Sequence, residues 1–182
     1  MSKGDKVILG VDPGTNVMGY GILQVRQSRL HLVQYGVIHL SKYTNHWHKL
    51  KKIYDRVISL IDDYHPDEMA LEAPFYGKNI QSTLKLGRAQ GVAMAAALAR
   101  EISITEYAPK KIKQSVTGNG NASKEQVASM LKSLLSFSEA PKLLDATDAL
   151  AVAVCHHFQN GAATQKSKSW KSFLSENPDR IK

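Results

Sequence analysis

The sequence predicts an α/β domain in which a mixed, five-stranded sheet is flanked by helices. Apolar stretches typical of strands occupy much of the first 40 residues and recur at about 68–71 and 103–107, while segments with helical periodicity separate the later strands. The opening strands follow one another closely enough to pair antiparallel. Strands that alternate with helices are typical of parallel pairing, so the two patterns together predict a mixed sheet in a layered domain.

The first half of the domain is expected to begin with a three-stranded meander. Its first strand is the apolar run Val7 to Val11, which ends in the turn sequence Asp12-Pro13-Gly14-Thr15. Met18 to Val25 and Leu30 to Leu40 supply the second and third strands, because a short polar segment separates them. Tyr43 to Tyr64 then carries apolar residues at helical spacing, and a proline shortly afterwards ends the helix.

The second half is expected to alternate strands with helices. A short strand runs from Glu68 to Leu71 and ends at Glu72, and Ser123 is a plausible N-cap for a later helix. The other predicted elements are an Ala-rich helix from Asn79 to Arg100, a strand from Ser103 to Tyr107, a basic segment from Pro109 that can include a helical turn, a helix from Ser123 to about Leu135, and a last helix from about Lys142 to Phe158.

Composition limits the class of protein. With 182 residues, 43% of them hydrophobic, we expect one domain with a substantial core over residues 1–160. Residues 161–182 are polar and basic, which predicts a disordered tail. Cys155 is the only cysteine, so an internal disulfide and a multi-cysteine zinc site are excluded. Neither a membrane span nor a secretory signal is visible, and a cytoplasmic location is therefore expected.

The charge of the chain favours a polyanionic partner. Its formal net charge is +8 and its sequence pI is about 9.5, which is typical of proteins that bind nucleic acid. A basic face that is merely solvated remains an equal alternative. The basic residues concentrate in two regions, namely Lys110, Lys111, Lys113 and Lys124 in one, and Lys78, Lys85 and Arg88 on one predicted helix in the other.

Four carboxylates stand at the ends of predicted elements. Asp12 and Glu72 each follow an apolar strand, and parallel strands would bring both to the same edge of the sheet. Asp145 and Asp148 open the last helix three residues apart, which places them on one helical face. Asp12 as a turn cap, and the aspartates as partners of the helix dipole, are the structural alternatives. Gathered together, the four acids would repel one another unless a cation neutralised them.

Hard oxygen ligands suit Mg²⁺ or Mn²⁺, and a pair of such ions can stabilise the attacking and leaving oxygens of a phosphoryl displacement. Lysines around an acidic metal centre would hold a nucleic acid by its phosphates. Within this scheme Gly14 and Thr15 are expected to provide a surface that approaches the scissile phosphate closely. The pattern therefore predicts a phosphodiester nuclease that holds two metal ions per subunit.

Several motifs occur in order over roughly residues 6–158, namely Leu9-Gly10-Val11-Asp12-Pro13-Gly14-Thr15, Gly19-Tyr20-Gly21, Glu72 with Phe75, Lys78-Asn79, Leu84-Lys85-Leu86-Gly87, Ala89-Gln90-Gly91 and Asp145-Ala146-Thr147-Asp148-Ala149. Together they resemble the RuvC family of bacterial Holliday junction resolvases. The resemblance implies an RNase H-like fold, a homodimer, and paired Mg²⁺-dependent nicking of four-way DNA junctions in homologous recombination and DNA repair.

The resemblance also assigns roles to individual residues. It implies that Asp12, Glu72, Asp145 and Asp148 are the catalytic metal ligands, with Mg²⁺ as the metal and Mn²⁺ able to substitute. Lys113 and Lys124 correspond to the family's lysines near the active site, and Phe75 corresponds to an aromatic that stacks near the junction centre, although packing in the core would explain this residue equally well. The full set of expected DNA contacts is Thr15, Phe75, Lys78, Arg88, Lys113 and Lys124.

Partners and rival functions follow from the same features. Gly87, Gly91 and Ala95 form a small-residue stripe at i,i+4 spacing, which would let a helix approach either the sheet or a partner helix; the resemblance favours a dimer. A branch-migration motor is a partner by family analogy alone. The rivals are a nuclease for structured RNA, a junction-binding module without catalysis, and an ATP-dependent phosphotransferase, for which the chain lacks a second lobe.

Overall fold

The computed structural model describes residues 5–74, 79–136 and 144–164, with the side chains of 161–164 left out. It contains the predicted five strands and, within these ranges, five helices. In chain order these are β1 (Lys6–Asp12), β2 (Val17–Arg26), β3 (Arg29–His39), α1 (His46–Tyr64), β4 (Glu68–Glu72), α2 (Ile80–Leu98), β5 (Ser103–Tyr107), α3 (Pro109–Thr117), α4 (Lys124–Leu135) and α5 (Leu144–Thr164).

The sheet is mixed, as expected, with strand order β3-β2-β1-β4-β5. β1, β2 and β3 form the antiparallel meander, while β4 pairs in parallel with β1 on one side and with β5 on the other. Val11 lies opposite Leu71 in the parallel register. Asp12 and Glu72, the next residue of each strand, therefore reach the same carboxyl edge of the sheet, where open α/β sheets place their functional sites.

Two layers of helices cover the sheet. α1 and α2 pack on one face, in a core that includes Leu9, Val11 and Leu71, whereas α3, α4 and α5 pack on the other face against Ile8 and Ala70. The central helix of the second layer, α5, is buried along most of its length from Ala146 to His156. A helix with apolar residues on all sides is expected to be enclosed in this way. Among the described residues, no helix is both long and apolar enough to cross a membrane.

Two strand glycines allow α5 to lie directly on the sheet. A Cβ on Gly10 would stand 2.2 Å from the carbonyl oxygen of Ala149, and one on Gly19 would stand 1.9 Å from that of Asp145. Both separations are far below van der Waals contact. The acidic first turn of α5 can therefore reach the end of β1 only because these two positions carry no side chain.

Gly10→Ala is expected to destabilise the protein by about 3 kcal/mol or more, because the added methyl meets helix backbone that cannot move aside without displacing α5. Ser82→Ala, at an exposed position of α2, is the control, since alanine there favours the helix and meets no strand. Urea denaturation of both variants measures the difference. Equal stabilities would show that the close contact between β1 and α5 is not required.

The structure corrects three details of the predicted elements. The basic segment from Pro109 is a complete helix, α3, whose buried residues Ile112 and Val116 face the core. The last helix continues to Thr164, beyond both its predicted end at Phe158 and the expected start of the tail at residue 161. The rest of the tail, from residue 165, lies outside the described residues.

His156 is the third correction. With the predicted helix end at Phe158 it would fall in the last turn, but it lies well within α5 and is 2% exposed. Its Nε2 lies 2.8 Å from Glu68 Oε2 and its Nδ1 lies 2.9 Å from the Tyr107 hydroxyl. Lys6 also donates to Glu68 at 2.6 Å. The histidine thus joins α5 to two strands through a buried polar network, in which each member has a partner.

Candidate active site

Three carboxylates converge at the carboxyl edge of the sheet. Asp12 ends β1, and Asp145 and Asp148 lie one turn apart at the start of α5. One carboxylate oxygen from each lies within 4.8 Å of the others, close enough for a single cation to contact all three. Gly10 and Gly19 create this cluster by bringing the helix onto the strand.

Glu72 supplies a fourth acid next to this cluster. It ends β4 and shares a strand face with Ala70, which packs in the α5 layer. With Asp12 and Asp148 it lines a cleft of about 110 Å³. The four predicted acids therefore meet, although the glutamate stands outside the tight group of three.

Electrostatics indicates that the acids are not balanced by the protein alone. Burial and then the charges of Glu72 and Asp148 raise the pKa of Asp12 to about 8; Lys124 counteracts them in part, and Asp145 adds a further increase. The pKa of Glu72 is also raised, first by burial and then by Asp148. Near neutral pH the cluster holds a proton unless another cation takes its place. This chemistry fits a divalent metal ion with oxygen ligands.

Two lysines from the α3–α4 side border the acids. Lys124 donates a hydrogen bond to Asp148 Oδ2, and Lys113 lines the same cleft. Burial lowers the pKa of Lys124, but the hydrogen bond and charge of Asp148, with smaller effects of Asp12 and Asp145, raise it overall. Both lysines therefore lie beside the acids. Lys124 lies in the first turn of α4, which begins with a capping box made by Ser123 and Gln126.

The turn after Asp12 requires glycine at position 14 for a structural reason that the sequence did not indicate. A Cβ on Gly14 would stand 1.7 Å from the carbonyl oxygen of Val17, so the turn folds back on its own chain and needs glycine for that reason. The expected role of Gly14 in approaching a phosphate is therefore not needed to explain it. Thr15 is partly exposed, and its carbonyl oxygen accepts a hydrogen bond of 3.0 Å from Lys49 Nζ.

Lys49 is a site residue that sequence reasoning missed. It lies on α1 and also donates to Asn16 Oδ1 at 3.2 Å, so its ammonium group bridges two acceptors of the turn. The backbone of Leu40 and Ser41 holds the same turn through the carbonyl oxygen of Asn16. No spacing rule in the sequence connects residues 15 and 49; the contact exists because α1 returns to the edge where β1 ends.

The remaining residues expected to contact DNA are not beside the acid cluster in the described part of the structure. Arg88 is exposed on α2, in the opposite helix layer from Lys113 and Lys124. Phe75 and Lys78 lie outside the described residues. A larger cleft of about 660 Å³ lies at the far end of the domain, between the β2–β3 hairpin and Phe158, and none of the described residues that line it carries a carboxylate. Cavity size therefore does not identify the reactive centre, whereas the acid cluster does.

An acid cluster at the carboxyl edge of a mixed sheet, bordered by lysines, defines a class of metal-dependent enzymes that act on phosphate esters. Comparison with known proteins places the chain within that class. The family model described as crossover junction endodeoxyribonuclease RuvC matches residues 8–156. The chain belongs to this family.

Individual relatives cover nearly the whole chain. The crossover junction endodeoxyribonuclease RuvC of Cytophaga hutchinsonii is 65% identical, over 98% of this chain and 89% of that protein. The RuvC of Porphyromonas gingivalis is 57% identical over 100% of both. Among solved structures, T. thermophilus RuvC in complex with Holliday junction substrate has a TM-score of 0.82 and 30% identity, and the match covers 87% of this chain and 97% of that one.

Proposed function

We propose that this chain is a structure-selective endonuclease that resolves four-way DNA junctions by paired, metal-dependent nicks during homologous recombination and DNA repair. The observation that carries the proposal is the convergence of Asp12, Asp145 and Asp148, with Glu72 beside them, at a sheet edge bordered by lysines. The solved relative bound to a Holliday junction supports the choice of substrate.

The four acids are proposed to hold two Mg²⁺ ions per subunit, with Mn²⁺ able to substitute. When bound, such ions would supply the positive charge that disperses negative charge on the reacting phosphate. The donor set fits, because all four residues offer hard oxygen ligands and the raised pKa of Asp12 indicates that a cation is favoured there. Metal binding would release the proton that Asp12 otherwise retains.

The lysines would position the DNA. Lys113 and Lys124 lie where a phosphate oxygen can be held beside the acids, and the ion pair between Lys124 and Asp148 aligns the lysine before DNA binds. Thr15 and Arg88 would contact the backbone farther from the cleft. Phe75 and Lys78 complete the proposed contacts, with the aromatic ring stacking near the junction centre.

A homodimer is proposed to form through α2. One stripe of this helix is exposed, and a Cβ on Gly87 or Gly91 would meet nothing within 4 Å in the described part of the chain, so the stripe does not pack on the chain's own sheet. Dimerisation would cover the apolar side chains and present two active sites to two strands. The exposed residues of the stripe are Ile80, Leu84, Gly87, Gly91, Ala95 and Leu98.

Gly91→Gln is expected to separate the dimer without unfolding the monomer, because the longer side chain has free space in the subunit but would fill the gap between helices. Sedimentation measures the oligomeric state, and Ser82→Gln, at an exposed position outside the stripe, is the control. A Gly91→Gln protein that remains dimeric at micromolar concentration would contradict this interface.

Two further expectations concern the setting of the reaction. The family resemblance suggests a branch-migration motor as partner, and we place the protein in the cytoplasm with the bacterial chromosome. Co-sedimentation of the purified chain with motor and junction, compared with the junction alone, tests the first. Fluorescence of a tagged chain expressed in its own cell tests the second.

The substrate is tested by offering four-way junctions of identical sequence in DNA and in RNA, with and without Mg²⁺. We expect nicking of the DNA junction only, and only with metal. Preferential cleavage of the RNA would favour the structured-RNA nuclease, and tight DNA binding without nicking under every metal condition would favour a junction-binding module.

A further inference from the structure

A group of cations lies on the side of the Asp12 turn away from Lys113 and Lys124. It consists of Lys49 on α1 with Lys85 and Arg88 on α2, and we refer to it as the α1–α2 cation group. α1 and α2 pack together on one face of the sheet, whereas α3 and α4, which carry the other two lysines, pack on the opposite face. The carboxyl edge therefore has positive charge from both helical layers.

The three cations lie on two helices that pack in the same layer, with Lys49 in the first turn of α1 and Lys85 and Arg88 in the first half of α2. Burial lowers the pKa of His46, and the positive charges of Arg88, Lys85 and Lys49 lower it further. This effect on His46 agrees with the placement of the three cations on one side of the sheet. Lys85 and Arg88 are also three residues apart on α2, a spacing that puts both on the same side of the helix.

The positive charge of the group is not neutralised by nearby acids. α2 contains no aspartate or glutamate, and within the described ranges neither Lys85 nor Arg88 forms an ion pair. The three acids of α1 are engaged elsewhere: Asp55 pairs with Lys51, Asp62 pairs with Arg100, and Asp63 accepts a hydrogen bond from Ser59. A solvated helix face usually intersperses charges of both signs, which this face does not.

Lys49 connects the group to the acid cluster. Its hydrogen bonds to Thr15 O and Asn16 Oδ1 fix one cation directly against the turn that follows Asp12. Lys85 and Arg88, by contrast, are exposed and free to meet a ligand. A polyanion that crosses the carboxyl edge of the sheet would therefore meet Lys113 and Lys124 on one side of the acids and the α1–α2 cation group on the other.

We infer that the α1–α2 cation group binds the sugar-phosphate backbone of a DNA arm that leaves the acid cluster across the α1–α2 layer. The inference rests on the proposed function, and it assigns Lys49 and Lys85, together with Arg88, to a second phosphate-binding surface. Binding there is independent of base sequence, because ammonium and guanidinium groups recognise phosphate charge. The surface orients the arm relative to the scissile strand and takes no part in the chemistry.

The test measures the salt dependence of junction affinity for a Lys85→Gln/Arg88→Gln variant. Each lost phosphate contact makes the slope of log K against log[salt] less negative by about 0.9, so we expect a change of about 1.8 for the pair. The control, Arg29→Gln/Lys132→Gln, removes the same charge from two exposed residues far from the carboxyl edge. Its slope should match that of the unsubstituted protein.

An unchanged slope in the Lys85→Gln/Arg88→Gln variant, or an equal change in the control, overturns the inference. Because α2 also carries the stripe, sedimentation is run on each variant, and Lys85→Gln alone is used if the pair alters the oligomeric state. The proposed function fails separately, if the unsubstituted chain neither prefers nor nicks a four-way junction. In that case the same slopes, measured on plain duplex DNA, still decide whether this surface binds phosphates.

Discussion

Asp148→Asn is expected to lower the rate of junction nicking by more than about a hundredfold while the affinity for the junction is unchanged or rises. A direct metal ligand should matter more than the groups that orient ligands, whose loss alone costs 10- to 100-fold. Affinity survives because the substitution removes a negative charge from a DNA-binding surface and releases Lys124 from its ion pair. This one variant is therefore expected to lose nicking activity while it keeps its affinity for the junction.

The measurement is single-turnover nicking of a synthetic junction with saturating Mg²⁺, accompanied by a binding titration without metal. Asp63→Asn, at an exposed position on α1, makes the same chemical change away from the site and should nick normally. If Asp148→Asn retained the normal rate, the assignment of the acid cluster as the reactive centre would be wrong.

Asp12→Asn is expected to change how the stability of the metal-free protein depends on pH. In the folded chain the pKa of Asp12 is raised to about 8 by burial and neighbouring acids, whereas in the unfolded chain it is near 3.8. Between these values the folded state holds a proton that the unfolded state has lost, so the free energy of unfolding falls as pH rises. Asparagine has no such proton, and this part of the pH dependence disappears.

Urea denaturation in the presence of a chelator, at pH 6.0, 7.0 and 8.0, measures the effect. The stability of Asp12→Asn relative to the unsubstituted protein should grow by about 1 kcal/mol per pH unit, slightly less than the 1.36 kcal/mol limit for a single proton, because Asp12 is already partly deprotonated as the pH approaches its pKa of about 8. Added Mg²⁺ should stabilise the unsubstituted protein more than the variant. Parallel stability curves across this range would mean that Asp12 is ionised in the folded state.

Local signals in the sequence were sufficient to predict the sheet and most helices. The apolar run before Asp12 and the short strand before Glu72 each identified a strand end, and parallel pairing then required the two acids to share an edge. Ser123 was recognisable as an N-cap, and its capping box is present. Such features depend on neighbouring residues only, which is why they could be predicted.

Contacts between distant segments could not be predicted in this way. The close approach of α5 to Gly10 and Gly19 depends on how a helix that begins near residue 145 packs against strands from the first 25 residues. The buried network of His156 gave no local signal, because its partners, Glu68 and Tyr107, come from two strands far away in the sequence. α3 was underestimated because its apolar positions, Ile112 and Val116, are few among basic residues. In each case tertiary packing outweighed the local pattern.

The central claim is that two acid clusters, one from each subunit of a dimer, cut two strands of the same junction. Its most direct test is to map both nicks in a four-way junction whose arms cannot migrate, with Mg²⁺, from molecules that were bound by a single dimer. The account predicts two nicks at symmetry-related positions in opposed strands, leaving products that a ligase can seal. A single nick per junction, or nicks at unrelated positions, would contradict it.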